Sequence, residues 1–139
     1  MANPYEMFET SEELEQQGII LDYGDFRIRI AHAGGSNKKY GKTLTRRLRP
    51  FEKQIAAGTA DDEVLSKIIR EVFCETVVLG FEVKAEKGYV EGVPTKDGKV
   101  NPYNSAEVNR LFTELPKLYQ DVKKQAEDFA LFRAIEEGC

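Results

Sequence analysis

Residues 61–80, with the sequence DDEVLSKIIREVFCETVVLG, determine the expected fold more than any other stretch of the chain. Asp61 or Asp62 can cap a helix, because a carboxylate accepts hydrogen bonds from the N–H groups of a first helical turn. Apolar residues then occur on nearly every side, as is usual for the central helix of a domain. Cys74 within it is interpreted as a small buried hydrophobic residue. The residues that define this helix are Val64, Leu65, Ile68, Ile69, Val72, Phe73, Thr76, Val77 and Leu79.

Further helices are predicted before the central one. Ser36 or Asn37 can cap a helix over residues 38–48, which Pro50 interrupts, and a helical segment then covers residues 51–57 up to a glycine. A short acidic helix is expected near the start, from Ser11 toward Gly18.

Two helices are predicted after the central one. Asn104 and Glu107 have the spacing of a capping box and indicate the start of one helix. Pro116 suits the first turn of another, since proline needs no hydrogen-bond partner there.

A single β-hairpin is expected over residues 19–33. Phe26, Ile28 and Ile30 alternate with arginines, and the turn-rich residues 22–25 precede them. Glycines and prolines interrupt the polar stretch that follows the central helix, which predicts a mobile loop at about residues 83–104. The predicted fold class is therefore mainly α: a compact helical domain with a small N-terminal β-hairpin, with residues 1–139 forming a single domain.

Composition limits the class of protein. The chain has 139 residues, of which 41% are hydrophobic and 32% charged, with a formal net charge of −4. These values are typical of one globular domain and exclude a disordered tail or a membrane protein. The acidic start lacks the apolar segment of a signal peptide, and Cys74 and Cys139 have no partner at metal-ligand spacing. We expect a protein of a reducing cytoplasm.

No catalytic, cofactor-binding or metal-binding residues can be assigned from motifs. The glycines at 34–35 match neither a Walker loop nor a dinucleotide-binding loop. A non-enzymatic function is therefore predicted. A rival hypothesis is an enzyme with an unfamiliar site around His32, Asp22 and Asp25.

A basic segment supports a second alternative. Residues 38–53 contain seven lysines and arginines and only one acidic residue, Glu52. A solvated helix face is the favoured interpretation. The alternative is a small nucleic-acid-binding regulatory protein that uses this segment to contact phosphate groups.

Three stretches of the chain carry a resemblance to a known family: Gly24–Ala31 with Gly34–Tyr40 and Arg47–Pro50; Glu75–Glu82; and Pro102–Ser105 with Leu111–Pro116 and Phe129–Arg133. Together they resemble the tail assembly chaperones of bacteriophages with long, non-contractile tails, of the frameshifted, minor tail assembly protein type. The likeness covers most of the chain and depends on the order and spacing of all three stretches. Residues 83–101 depart from the family pattern, because they are longer and richer in lysine than its brief turn.

The resemblance implies a non-enzymatic assembly factor that binds the tape measure protein, keeps it soluble and promotes polymerisation of the tail tube around it. It also implies contact with the tail tube protein through a frameshifted C-terminal extension. The protein would act in the host cell cytoplasm during assembly and be absent from the mature virion. We expect a homo-oligomer, no membrane contact and no specific nucleic acid.

An apolar stripe on the last two predicted helices is the expected partner-binding surface. Such a stripe can exceed what the protein's own core covers, and a partner helix can then pack against it. The residues are Phe112, Leu115, Leu118, Tyr119, Phe129 and Phe132.

Overall fold

The computed structural model describes residues 18–33 and 37–128. The helix predicted to begin at Ser11 lies almost wholly outside these residues. Two residues of the predicted partner-binding stripe, Phe129 and Phe132, also lie outside them.

The predicted hairpin is confirmed. Strands β1 (Ile19–Asp22) and β2 (Phe26–Ile30) pair in antiparallel orientation. The turn between them contains a hydrogen bond from Tyr23 N to Phe26 O of 3.0 Å. Gly24 has a φ of +90°, a left-handed conformation that glycine adopts at little cost.

Three helices and a 3-10 turn follow: α1 (Lys38–Leu48), the turn (Arg49–Phe51), α2 (Glu52–Ala57) and α3 (Asp62–Thr76). The predicted caps are confirmed at Asn37, whose side chain accepts from Tyr40 N at 3.2 Å, and at Asp61, which accepts from Glu63 N at 2.9 Å. Gly58 ends α2 with a φ of +72°, as its position after the helix predicts.

The segment predicted as a loop at residues 83–104 contains strands instead. These are β3 (Val78–Ala85), β4 (Gly88–Glu91), β5 (Val93–Pro94) and β6 (Val100–Asn101). The central helix is also shorter than predicted, because it ends at Thr76. Phe81 and Val83 alternate with Glu82 and Lys84, which is the period of a half-buried strand.

The prediction of a mainly α, compact helical domain with a small N-terminal β-hairpin is therefore wrong. The described residues are about 53% helical and 23% strand. The hairpin is half of a four-stranded antiparallel sheet with the order β1-β2-β3-β4, and β5 and β6 form a separate two-stranded ribbon. Helices α1 to α3 are inserted in the chain between the neighbouring strands β2 and β3.

The last two helices, α4 (Ser105–Glu114) and α5 (Pro116–Glu127), begin where the sequence predicts. Asn104 Oδ1 accepts from Glu107 N at 2.8 Å, which confirms the asparagine cap. The Glu107 carboxylate accepts a hydrogen bond from Asn101 Nδ2 at 2.5 Å and so connects α4 to β6. Pro116 lies in the first turn of α5.

The core lies between one face of the four-stranded sheet and the helices. Alternate sheet residues such as Ile28 and Ile30 are fully buried, while the arginines between them are not. Helix α3 contributes Phe73 and also Cys74, whose predicted burial is confirmed. The remaining buried hydrophobic residues are Leu21, Ala31, Ile68, Val72, Val77, Val78, Phe81, Val83, Val93, Val108, Leu111, Phe112, Val122 and Ala126.

Candidate protein-binding surface

The junction between α4 and α5, which we call the elbow, holds four of the six predicted partner-binding residues. Leu115 connects the two helices with φ −123° and ψ 73°, outside the helical region. Its N–H donates to Leu111 O at 2.8 Å, and its carbonyl accepts from Leu118 N at 3.0 Å and Tyr119 N at 3.2 Å. Backbone hydrogen bonds on both sides therefore fix the position of Leu115.

Phe112 belongs to the core and not to the surface. Its side chain is only 1% exposed and lies 6.3 Å from Phe73, measured between ring centroids. Tyr119 packs beside both rings, edge-on to Phe73 at 5.5 Å and tilted to Phe112 at 5.4 Å. Burial raises the pKa of the half-buried Tyr119 to about 12. This aromatic cluster connects α3, α4 and α5.

Leu115 is the elbow residue most available to a partner, with 49% of its surface exposed. Leu118 and Tyr119 beside it are half-buried and pack against the core. Of the four predicted residues that the structure describes, three therefore reach the surface: one exposed leucine next to two partly covered apolar side chains.

Polar contacts hold α4 in place next to the elbow. Arg110 donates to Glu114 at 2.8 Å and to the carbonyl of Pro94 at 3.1 Å, so it connects α4 to β5. Arg70 of α3 donates through Nε to Asn109 Oδ1 at 2.9 Å. Lys117 and Gln120, on α5, are exposed. The apolar elbow thus has a charged and polar rim, which is typical of protein-binding surfaces.

Other large apolar residues are exposed away from the elbow, and the sequence did not single them out. Ile55 and Val64 lie on α2 and at the start of α3, and Ile20 and Leu79 lie on the sheet. The sequence could have indicated Ile55, because it is the one large apolar residue in this short helix. The remaining exposed residues of this kind in the described part are Val90 and Val100.

The basic residues of the predicted 38–53 segment divide between two faces of α1. Arg47 faces α3, where it donates to Glu71 at 2.7 Å and lies 3.9 Å from Glu75. On the outer side, four basic residues line an open groove, and none of them forms an ion pair with a described residue. These outer residues are Lys38, Lys42, Arg46 and Arg49.

The structure does not bring together the residues of the hypothetical enzyme site. Asp22 pairs with Arg27 next to the turn, and Asp25 lies in that turn. His32 follows the opposite end of β2, on the order of 15 Å away at about 3.4 Å per residue. His32 is buried, and its carbonyl accepts from Asn37 Nδ2 at 2.8 Å.

The described residues contain no group of three or more histidine, cysteine, aspartate or glutamate side chains that could hold a metal ion. Within residues 18–33 and 37–128, no helix has the length and apolar character needed to cross a bilayer. Burial raises the pKa of the Cys74 thiol to about 12, so this cysteine is a poor nucleophile.

The fold and surfaces define an α+β protein with an antiparallel sheet covered by helices on one face and with apolar and basic surfaces open to partners. Residues 35–138 match the family of YdaY prophage proteins, so the chain belongs to this family and is phage-derived. No curated protein matches the chain, and no solved structure does.

Proposed function

We propose that this protein is a non-enzymatic tail assembly chaperone that binds the tape measure protein, keeps it soluble and promotes polymerisation of the tail tube around it. Its membership of a prophage family supports a role in making a phage particle. The observation that supports binding most directly is the 49% exposure of Leu115 at a rigid elbow. A half-exposed leucine held in position by backbone hydrogen bonds contributes little to the core and favours contact with a partner.

The elbow suits an amphipathic helix as its partner. The apolar residues of such a helix would cover Leu115, Leu118 and the exposed edge of Tyr119, while its polar residues would meet Lys117 and Glu114. A contact of this size is weak by itself. Several copies along one tape measure protein would hold it by avidity, and tube subunits could still displace each copy.

In this scheme the chaperone acts in the host cytoplasm as a homo-oligomer and leaves before the virion matures. Contact with the tail tube protein would use a frameshifted C-terminal extension.

Leu115→Asp tests the proposal. Leu115 is the N-cap residue of α5, and aspartate is one of the residues preferred at an N-cap. The variant should therefore fold. A carboxylate in an apolar contact must lose its water, so we expect capture of the co-expressed tape measure protein to fall about tenfold or more.

Gln120→Asp is the matched control, because it adds the same charge at an exposed position of α5. It should capture the tape measure protein as the unmodified chain does. Equal capture by Leu115→Asp and Gln120→Asp would exclude the elbow as the binding surface. Failure of the unmodified chain to bind any tape measure protein from its phage would refute the chaperone function.

The outer groove of α1 supports a second candidate function, a nucleic-acid-binding regulator. Lys38, Lys42 and Arg46 recur every four residues and so share one face of α1, and Arg49 of the following 3-10 turn lines the same groove. If these residues made four phosphate contacts, a plot of the logarithm of the binding constant against the logarithm of the salt concentration would have a slope of roughly −3 to −4. A gel shift of duplex DNA at two salt concentrations, repeated with Arg46→Glu, measures this slope. Retention that Arg46→Glu leaves unchanged would exclude this candidate.

A further inference from the structure

The outer face of the four-stranded sheet, which we call the open face, points away from the helices. Register places Asp22, Arg27, Glu82 and Glu91 side by side across all four strands. Residues of this row are exposed or half-exposed, whereas the neighbouring residues Leu21, Ile28 and Phe81 on the first three strands are buried in the core. The next row contains three further residues, Ile20, Arg29 and Gly80.

Two apolar residues on the open face are exposed to a degree that is unusual for a sheet. Ile20 is 52% exposed and Leu79 is 38% exposed. They line a depression of about 200 Å³ together with Arg29, Gly80, Glu82 and Glu91. Gly80 has no side chain to fill the middle of this depression, and another chain could approach the sheet closely there.

The charges on the open face are only partly neutralised. Arg27 lies 3.4 Å from Asp22 and 3.7 Å from Glu82, and its guanidinium is 3.8 Å from the centroid of the Tyr89 ring. Arg29 and Glu91, in contrast, form no ion pair with any residue that the structure describes. One cation on β2 and one anion on β4 therefore lack a counter-charge within these residues.

We infer that the open face binds the open face of a second copy of this chain across a two-fold axis. Arg29 lies on β2 and Glu91 lies on β4, so the unpaired cation and the unpaired anion are on opposite sides of the depression, with β3 between them. A two-fold axis in the plane of contact, passing midway between Arg29 and Glu91, places Arg29 of each copy over Glu91 of its partner. Such a contact is isologous and closes after two subunits. The same rotation covers Ile20 and Leu79, and sheets packed in this way lie about 10 Å apart.

The contact is expected to be weak. Four strands spaced about 4.8 Å apart cover less area than a standard protein interface, which buries about 800 Å² on each partner. We therefore expect a weak dimer that forms at high protein concentration and dissociates as salt screens the two ion pairs. This inference uses a different surface from the elbow and does not depend on the chaperone function.

Charge reversal tests the inference, with sedimentation velocity of the full chain from about 10 μM to 500 μM as the measurement. Arg29→Glu and Glu91→Arg should each weaken dimerisation at least tenfold, because like charges then meet twice across the axis. The double variant with both substitutions restores two opposite-charge pairs and should recover dimerisation. Circular dichroism checks that each variant is folded.

Arg46→Glu and Glu127→Arg are matched controls, since they change the net charge equally at exposed positions on α1 and α5. They should leave dimerisation unchanged. A chain that remains monomeric over the whole concentration range would overturn the inference. It would also be overturned if the single variants dimerise normally, or if the double variant is as weak as they are. Capture of the tape measure protein through Leu115 is measured separately, so either result can fail without the other.

Discussion

Replacing Phe112 by alanine tests whether this residue of the predicted stripe belongs to the core or to a partner. The ring is 1% exposed and contacts the rings of Phe73 and Tyr119. Truncation of a buried phenylalanine removes its burial free energy and leaves a cavity, which together cost about 3–5 kcal/mol. A domain of this size has a free energy of unfolding of roughly 5–15 kcal/mol, so the loss is a large fraction of the total.

The exposed neighbour provides the comparison. Leu115→Ala removes a side chain that is 49% exposed and leaves no enclosed cavity, so we expect a loss of about 1 kcal/mol or less. Urea unfolding followed by circular dichroism measures both variants. At about 3–4 °C per kcal/mol, the melting temperature should fall by roughly 10–20 °C for Phe112→Ala and by only a few degrees for Leu115→Ala. Equal losses, or a larger loss for Leu115→Ala, would refute the division of the elbow into core and surface.

Three further predictions concern single groups. In a Cys139→Ser background, Cys74 should react with a thiol reagent only as fast as the protein unfolds, because burial raises its pKa to about 12; rapid labelling of the native protein would contradict this burial. Asn104→Ala should lower the free energy of unfolding by about 0.5–2 kcal/mol in urea titrations, and Asn104→Ser should retain most of it, since only serine can still accept from Glu107 N. Tyr119 has a folded-state pKa of about 12 against 10 in the unfolded chain, so its contribution to stability is present below pH 10 and is lost as pH rises from 10 to 12. Tyr119→Phe should reduce this alkaline loss of stability, and an unchanged pH profile would show that Tyr119 is not the group responsible.

Local signals in the sequence predicted the starts of helices well. Asn37, Asp61 and Asn104 cap helices through their side-chain oxygens, and each stands directly before the helix it was expected to start. Pro116 and Gly58 likewise mark a beginning and an end. These residues act on the N–H and carbonyl groups of their own turn, so their effect can be inferred without knowledge of the rest of the fold.

The sheet could not be inferred as well, because its second half follows a helix without a break. Val77 and Leu79 fit the apolar helical pattern of α3, yet the helix ends at Thr76 and β3 begins at Val78. The switch from helix to strand depends on the pairing of β3 with β2, which is distant in the chain. The glycines at 88 and 92 indicated a loop, whereas Gly88 is the first residue of β4 and Gly92 directly follows this strand, both with positive φ. Tertiary pairing overrode the local signal here.

The partner-binding stripe was only partly informative for a related reason. Helical spacing places Phe112, Leu115 and Tyr119 near one another, but it does not predict what fraction of each side chain another helix buries. Phe73 of α3 covers Phe112 and part of Tyr119 and leaves Leu115 outside. The sequence did not single out Arg29 and Glu91 of the open face, because their relative positions depend on strands β3 and β4, which were not predicted.

The insertion of α1 to α3 between two neighbouring strands has a consequence for synthesis of the protein. Ile30 of β2 pairs with Val78 of β3, 48 residues further along the chain. At roughly 5–20 residues per second, the ribosome needs several seconds to make the second strand after the first. During that time the β1–β2 hairpin has no sheet to join, and a hairpin alone is marginally stable. Closure of this long loop should therefore limit the rate of folding, and nascent chains that stop before β3 should be targets for host proteases.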